Sequence, residues 1–249
     1  MAVMIVAATQ FAPVAGDIDA NVRAVSDLIR SAGTDGARVV VFAELCLTGY
    51  EPRLIRDTPA LALTEDDPRL DPVREACRAV SATALVGGPV LTDDGRLAVT
   101  TLVIGPDGEL LTRYDKQHLY GIEAEVFTPG TTDGRFELDG IRYATATCYD
   151  NRFPGLAERA AADGCHAYLS SAVLETGNDQ FETVYPARSR DFGLHVVLGN
   201  VLGSSEAGQG AGRAGGWGPD GVRLADAGPD TPGYVLVDVP ADRKAPAGR

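Results

Sequence analysis

Ile141 to Pro154 reads I-R-Y-A-T-A-T-C-Y-D-N-R-F-P. An apolar strand pattern stops in this stretch and a helix pattern begins, with Cys148 at the junction. A thiol so placed sits at the open end of a sheet, where the amides of the turn and of the coming helix terminus favour negative charge. That position suits a nucleophile. A lone free cysteine is more often a small buried hydrophobe, so its meaning depends on partners elsewhere in the chain.

Working outward, Asp139-Gly140 joins Phe136-Glu137-Leu138 to the strand before Cys148, and Pro154 to Ala162 follows as a helix with proline in its first turn. Cys165 to Ser171 reads as a further strand. Asp179 to Phe192 reads as a helix that Pro186 should break or kink, and His195 to Asn200 returns to strand. Upstream, Val3 to Ala8 is a strand and Ile18 to Ile29 a helix capped by Asp17 or Asp19. Ala37 to Ala43 is β-branched and almost continuously apolar, the pattern of a strand covered on both faces, and it ends at Glu44. Pro72 to Val80 reads as a helix and Ala82 to Val90 as a strand. Asp93-Asp94-Gly95 and Pro106-Asp107-Gly108 then punctuate two short apolar runs, which is hairpin chemistry.

Residues 116 to 134 show no period and close with Gly and Pro, so they are expected to form a long functional loop. The Gly-rich run Gly203 to Gly216 lacks the lysine and following helix of a phosphate cradle and is expected to be a mobile loop. Tyr234 to Val239 is a closing strand before a C-terminal tail over 240–249. About ten strands and four or five helices fit a sandwich of two mixed sheets with helices outside. A single doubly wound parallel sheet accounts less well for the hairpins.

The chain has 249 residues, 45% of them hydrophobic, enough for a full core, and no linker divides it, so residues 1–249 are expected to form a single domain. A net charge of -13 excludes the basic stripe that nucleic acid or an anionic membrane would require. No apolar run has the roughly 20 residues of a membrane span. The N-terminal segment reads as a strand rather than a signal peptide. Cys46, Cys77, Cys148 and Cys165 show neither metal-ligand spacing nor a disulfide framework, which fits a reducing cytoplasm.

Glu44, the Lys116 to Glu125 segment and Cys148 all fall at strand ends or in the loops beyond them. If those ends share one rim, a carboxylate, an ammonium and a thiol converge. His118 is read as a packing or hydrogen-bonding histidine, because nothing acidic is placed in sequence to orient it. Asp150 and Arg152 are read as bracing the turn by ion pairing.

In this order the segments F-A-E-L-C-L-T-G-Y, Y-D-K-Q-H-L-Y and T-C-Y-D-N-R-F-P resemble the three motifs of the nitrilase, or carbon-nitrogen hydrolase, superfamily, and the resemblance spans nearly the whole chain. It implies Glu44 as general base, Lys116 as the cation and Cys148 as nucleophile. E-A-E-V-F-T-P-G resembles the element that carries the family's second glutamate, implying Glu123, with Glu125 the weaker candidate. P-A-R-S-R-D-F departs from the family's usual R-A-x-E-N, and S-S-A-V-L-E-T lacks an aromatic residue often found there. The resemblance further implies a four-layer α-β-β-α sandwich and pairing of protomers into a homodimer or higher homo-oligomer. The expected reaction is hydrolysis of a small linear amide through a thioester on Cys148, with neither metal nor organic cofactor. A nitrile or an N-carbamoyl amino acid would use the same residues, and a catalytically silent scaffold is the alternative outside the enzymes. Tyr149, Tyr50, Ala172 and Val173 are expected to contact substrate, with Glu51, Arg53 and the rest of the Ala172 to Gly177 segment nearby.

Overall fold

The structure, a computed structural model, describes residues 3–241. β1 (Val3–Phe11) leads into α1 (Ile18–Thr34), whose first turn is capped by Asp17, with Oδ1 accepting from Ala20 N at 2.9 Å. β2 (Val39–Val41), α2 (Pro52–Asp57), α3 (Asp71–Val80), β3 (Thr83–Leu91), β4 (Leu97–Ile104), β5 (Leu110–Asp115) and α4 (Glu123–Val126) follow. Next come β6 (Gly134–Leu138), β7 (Ile141–Thr147), α5 (Pro154–Ala162), β8 (Ala167–Ser171), α6 (Gln180–Phe192) and β9 (His195–Val201). Short strands β10 (Ser204–Ser205), β11 (Gly208–Gln209), β12 (Gly215–Trp217) and β13 (Arg223–Asp226) precede β14 (Gly233–Pro240).

Apart from the β10–β11 hairpin, the strands form two mixed sheets. One runs β14-β1-β2-β3-β4-β5 and the other β13-β12-β9-β8-β7-β6. They touch edgewise only where Gln10 and Phe11 of β1 pair with Asn200 and Val201 of β9. Side chains alternate across each strand, so each sheet has two faces to cover. The inner faces meet: Val6, Ala8, Val41 and Leu85 pack with Tyr143, Leu169 and Val197. On the outer face of the first sheet, Ala7, Val40 and Val86 pack under Val25 and Ile29 of α1 and Val73 of α3. On the other side Ala144, Tyr168 and Val196 pack under Leu156 of α5 and Phe181 and Tyr185 of α6. The result is the four-layer α-β-β-α arrangement expected from the hairpins. Burying each of these large aliphatic side chains stabilises by about 1.5–3 kcal/mol, and that is why the apolar spacing in the sequence corresponds to layers.

Four local readings need correction. The strand expected over Ala37 to Ala43 forms ladder pairs only at Val39–Val41; beyond them the backbone keeps single hydrogen bonds to β3 from Phe42 and Leu47 and turns at a left-handed Leu45 (φ 50°). The loop expected over residues 116 to 134 contains α4. The Gly-rich run, expected as a mobile loop, supplies the β10–β11 hairpin and then β12, which pairs with β9 and β13 and buries Trp217. Glycine is required there by close approach: a Cβ at Gly215 would collide with the Ala225 carbonyl. Of the break or kink expected at Pro186, the break does not occur: α6 continues to Phe192, with Phe181, Tyr185, Arg188 and Ser189 buried on either side of the missing hydrogen bond. Of the expected tail over 240–249, residues 242–249 lie outside the described residues.

Candidate active site

Three strand ends bring the polar residues together. After β2, the segment through Glu44 stays against the sheet, with Phe42 N donating to Leu85 O at 3.1 Å and Leu47 N to Gly87 O at 3.0 Å. This approach works because its neighbours lack side chains. A Cβ at Gly87 would lie 2.6 Å from Leu45 N, and one at Gly199 2.6 Å from Val41 O. After β5, Lys116 is fixed by its own backbone, with its N–H on Val99 O and its carbonyl accepting from Gly130, both at 2.9 Å. After β7, Cys148 opens a short helical turn, Cys148–Arg152, in a left-handed conformation (φ 46°). For a residue with a Cβ this costs energy, which the surrounding contacts must offset. Asn151 Nδ2 donates to Cys148 O at 2.8 Å and to Ser170 Oγ at 2.9 Å. Arg188 of α6 donates to the carbonyls of Asn151 and Arg152.

Lys116 is fully buried, and its Nζ lies 2.7 Å from Glu44 Oε1 and 2.7 Å from Glu123 Oε1. Tyr50 donates its hydroxyl to Glu123 Oε1 at 2.6 Å, and Tyr120 N donates to Oε2 at 2.9 Å. Burial pushes the Glu44 carboxyl up to about 7, against the pull of Lys116 and with help from the Glu123 charge. Burial opposes the charge on Lys116, yet Glu44, Cys148 and Glu123 outweigh it and hold the ammonium above its ordinary value. Burial and the Glu44 charge hold the Cys148 thiol well above the ordinary cysteine range, while Lys116 pulls it down. Cys148 Sγ donates to Val173 O at 3.9 Å, and Glu44 Oε2 is buried with no hydrogen-bond partner. The resting site therefore holds a neutral thiol beside a carboxyl poised near neutrality.

Cys148 opens onto a cavity of about 540 Å³ whose wall includes Tyr50, Glu123, Tyr149, Val173 and Leu174. Asn200 fixes that wall, accepting from Leu174 N at 2.8 Å and donating to Leu174 O at 3.3 Å. Ala172, expected to contact substrate, instead packs in the outer core with Ala146 and Leu174, and its N–H goes to Gly199 O. Its neighbours Val173 and Leu174 line the cavity, and Ala172 does not. Glu125 is exposed on the short α4, while Glu123 is buried. Arg53 reaches the cavity indirectly, by pairing with the lining residue Glu206 at 2.6 Å. Among the described residues no group of His, Cys, Asp and Glu is arranged to hold a metal ion, and no helix is long and apolar enough to cross a membrane.

A sequence model of the carbon-nitrogen hydrolase family matches residues 5–247. The chain belongs to the carbon-nitrogen hydrolase family. This hydrolase is 30% identical over 199 residues to the omega-amidase NIT2 of Homo sapiens, an alignment covering 75% of this chain and 71% of that one. It is also similar to the amidase from Nesterenkonia sp., with TM-score 0.87 and 26% identity over 96% of this chain and 91% of that one. A glutamate-to-glutamine variant of the Nesterenkonia sp. AN1 amidase, with acrylamide joined to its active-site cysteine by Michael addition, matches with TM-score 0.86 and 26% identity over 96% and 94% of the two chains.

Three features of this carbon-nitrogen hydrolase escape sequence reading. Asp150 does not pair with Arg152. It accepts from His118 N and Nδ1 at 2.8 Å, Tyr114 Oη at 2.7 Å and Thr147 N at 3.2 Å, and Arg152 faces Asp179 at 3.6 Å. His118 thus has an acid to orient it, 32 residues away in sequence, and stacks on Phe153 at 3.8 Å. Its bond to Asp150 ties the Lys116 loop to the Cys148 turn. Arg188, in the segment that departs from the family pattern, supports that turn from α6.

Proposed function

We propose that the chain hydrolyses a small linear amide through a thioester on Cys148, releasing ammonia or an amine and a carboxylic acid. The observation that carries this reading is the buried Lys116 ammonium held between Glu44 and Glu123 at the cavity onto which Cys148 opens. Glu44, raised to about 7, is part carboxylate at neutral pH and takes the thiol proton as sulfur attacks the amide carbon. Charge then develops on the carbonyl oxygen. The Lys116 ammonium and the Tyr149 N–H stabilise it, each donor contributing about 3 kcal/mol. Protonated Glu44 passes its proton to the departing nitrogen as the C–N bond breaks. Water then gives a proton to Glu44 and attacks the thioester, and the proton returns to sulfur as the C–S bond breaks. Glu123, braced by Tyr50, keeps Lys116 charged and aimed throughout.

On the same reading residues 1–249 form one domain that works in the cytoplasm as a homodimer or larger homo-oligomer, with no nucleic-acid or membrane partner. Light scattering on the purified chain tests the assembly. For the chemistry, Cys148→Ala and Glu44→Gln should fold yet release no ammonia from a panel of short amides. Wild-type turnover by either variant would overturn the roles of these two residues.

A further inference from the structure

Gln180, the first residue of α6, lines the active-site cavity and is only 5% exposed. Its side-chain oxygen Oε1 is buried and has no hydrogen-bond partner. Its backbone N–H is already satisfied, donating to Asn178 Oδ1 at 3.0 Å. Leaving a buried amide oxygen unpaired is costly, and a donor that reached it from the cavity would recover that cost. Glu44 Oε2 is also unpaired, and the proton transfers of the hydrolysis account for it; of the cavity-lining residues, only Gln180 has a buried side-chain oxygen without a partner among the described residues. Gln180 has no part in those transfers.

The charges around Gln180 narrow the donor. Two half-buried carboxylates, Glu175 and Glu206, line the same cavity. Glu175 Oε2 accepts only the neutral Asn178 Nδ2, at 3.2 Å, whereas Glu206 is bound by Arg53. The cation in the cavity lining is Arg152, which faces Asp179 at 3.6 Å. Acceptors and negative charge therefore prevail at the outer wall. A carboxylate tail on the substrate would meet like charge there, and a methyl would leave Oε1 unpaired.

We infer that Gln180 is a specificity residue that accepts a hydrogen bond from an ammonium group at the far end of a short aliphatic amide, with Glu175 supplying charge complementarity. The inference rests on the amidase reading and sharpens it to a substrate class.

Ammonia release from butanamide, 4-aminobutanamide and succinamate tests it in the wild type, Gln180→Leu and Gln180→Glu. The wild type should favour 4-aminobutanamide over butanamide in kcat/KM by about 10-fold or more, as expected for a hydrogen bond to a charged group, with succinamate poorest. Gln180→Leu should abolish that preference while leaving butanamide within about 3-fold of wild type, since only the polar contact is removed. Gln180→Glu should widen the preference. The leucine variant should melt no lower than the wild type, because it removes an unpaired buried oxygen. An equal loss on all three amides in Gln180→Leu, or a wild type that prefers succinamate, overturns the inference while the amidase reading stands. If the wild type releases ammonia from none of them, the amidase reading fails. Calorimetric titration of Cys148→Ala with 4-aminobutanamide and butanamide then decides the inference separately: tighter binding of the amine that is lost on adding Gln180→Leu supports it, and equal binding of the two refutes it.

Discussion

Replacing Lys116 by methionine removes one positive charge from a fully buried site. The Nζ atom lies 2.7 Å from a carboxylate oxygen of Glu44 and 2.7 Å from one of Glu123, and all three side chains are buried. Methionine fills nearly the same volume, so the change is chiefly electrostatic. Breaking a buried pair by deleting one partner costs about 3–5 kcal/mol, because the remaining charge is left uncompensated. In a chain of this size each kcal/mol moves the melting temperature by about 2–4 °C, so Lys116→Met should melt on the order of 10 °C lower at pH 8. The penalty should shrink with acid. Glu44 titrates near 7 with the lysine present, and Lys116 is what pulls it down, so without the lysine its pKa is higher still. A carboxyl whose folded pKa exceeds its unfolded value binds more protons folded, and it loses stability as pH rises from the unfolded value through the folded one. At pH 5.5 Glu44 is neutral in the folded variant, which removes one of the two stranded charges and roughly half the penalty. Thermal melts by circular dichroism at pH 5.5 and 8 measure both quantities. A loss below about 2 °C at pH 8, or the same loss at both pH values, would refute the view that Lys116 compensates these carboxylates.

With a competent amide substrate, kcat/KM should rise with pH through about 7 as Glu44 loses its proton, and a profile flat from pH 5.5 to 8 would exclude Glu44 as the base. Tyr50→Phe deletes the 2.6 Å bond to Glu123 without changing the cavity's shape. A bond to a charged group is worth about 1.5–3 kcal/mol, so kcat/KM should fall about 10-fold to 100-fold with the circular dichroism spectrum unchanged. Gly87→Ala places a methyl 2.6 Å from Leu45 N, which should cost about 1–3 kcal/mol of stability and displace Glu44. A wild-type melting temperature and full activity in that variant would contradict so tight an approach of the Glu44 segment to β3.

The layers were legible because burial imposes periodicity: Val25 and Ile29 repeat at helical spacing and Tyr143, Thr145 and Thr147 at strand spacing. Glu44 and Cys148 were legible because each ends an apolar run, where a polar residue has no packing reason to be, whereas Lys116 follows the polar T-R-Y-D and stood out only through the resemblance of Y-D-K-Q-H-L-Y to a family motif. β12 was hidden because glycines present no side chains to form a pattern, and its burial comes from pairing with β9 rather than from its own surface. The His118–Asp150 contact joins residues 32 apart, and no local rule specifies it. Ala172 and Val173 are adjacent, both apolar and both past the end of β8, so no local pattern tells which one meets the cavity. Gln180 carries no sequence signal, because its unpaired oxygen is set by the packing around the start of α6.

Glu44 and Lys116 ride on one half of the sandwich and Cys148 on the other. The halves are joined edgewise by two residue pairs of β1 and β9 and bridged near the sulfur by the contact of Thr101 Oγ1 with Thr147 Oγ1 at 3.3 Å. Turnover is thus a gauge of the seam between the halves. Any stress that lets them slide or part by an ångström separates acid from thiol while every helix and ladder is still intact, so the protein falls silent well before it unravels.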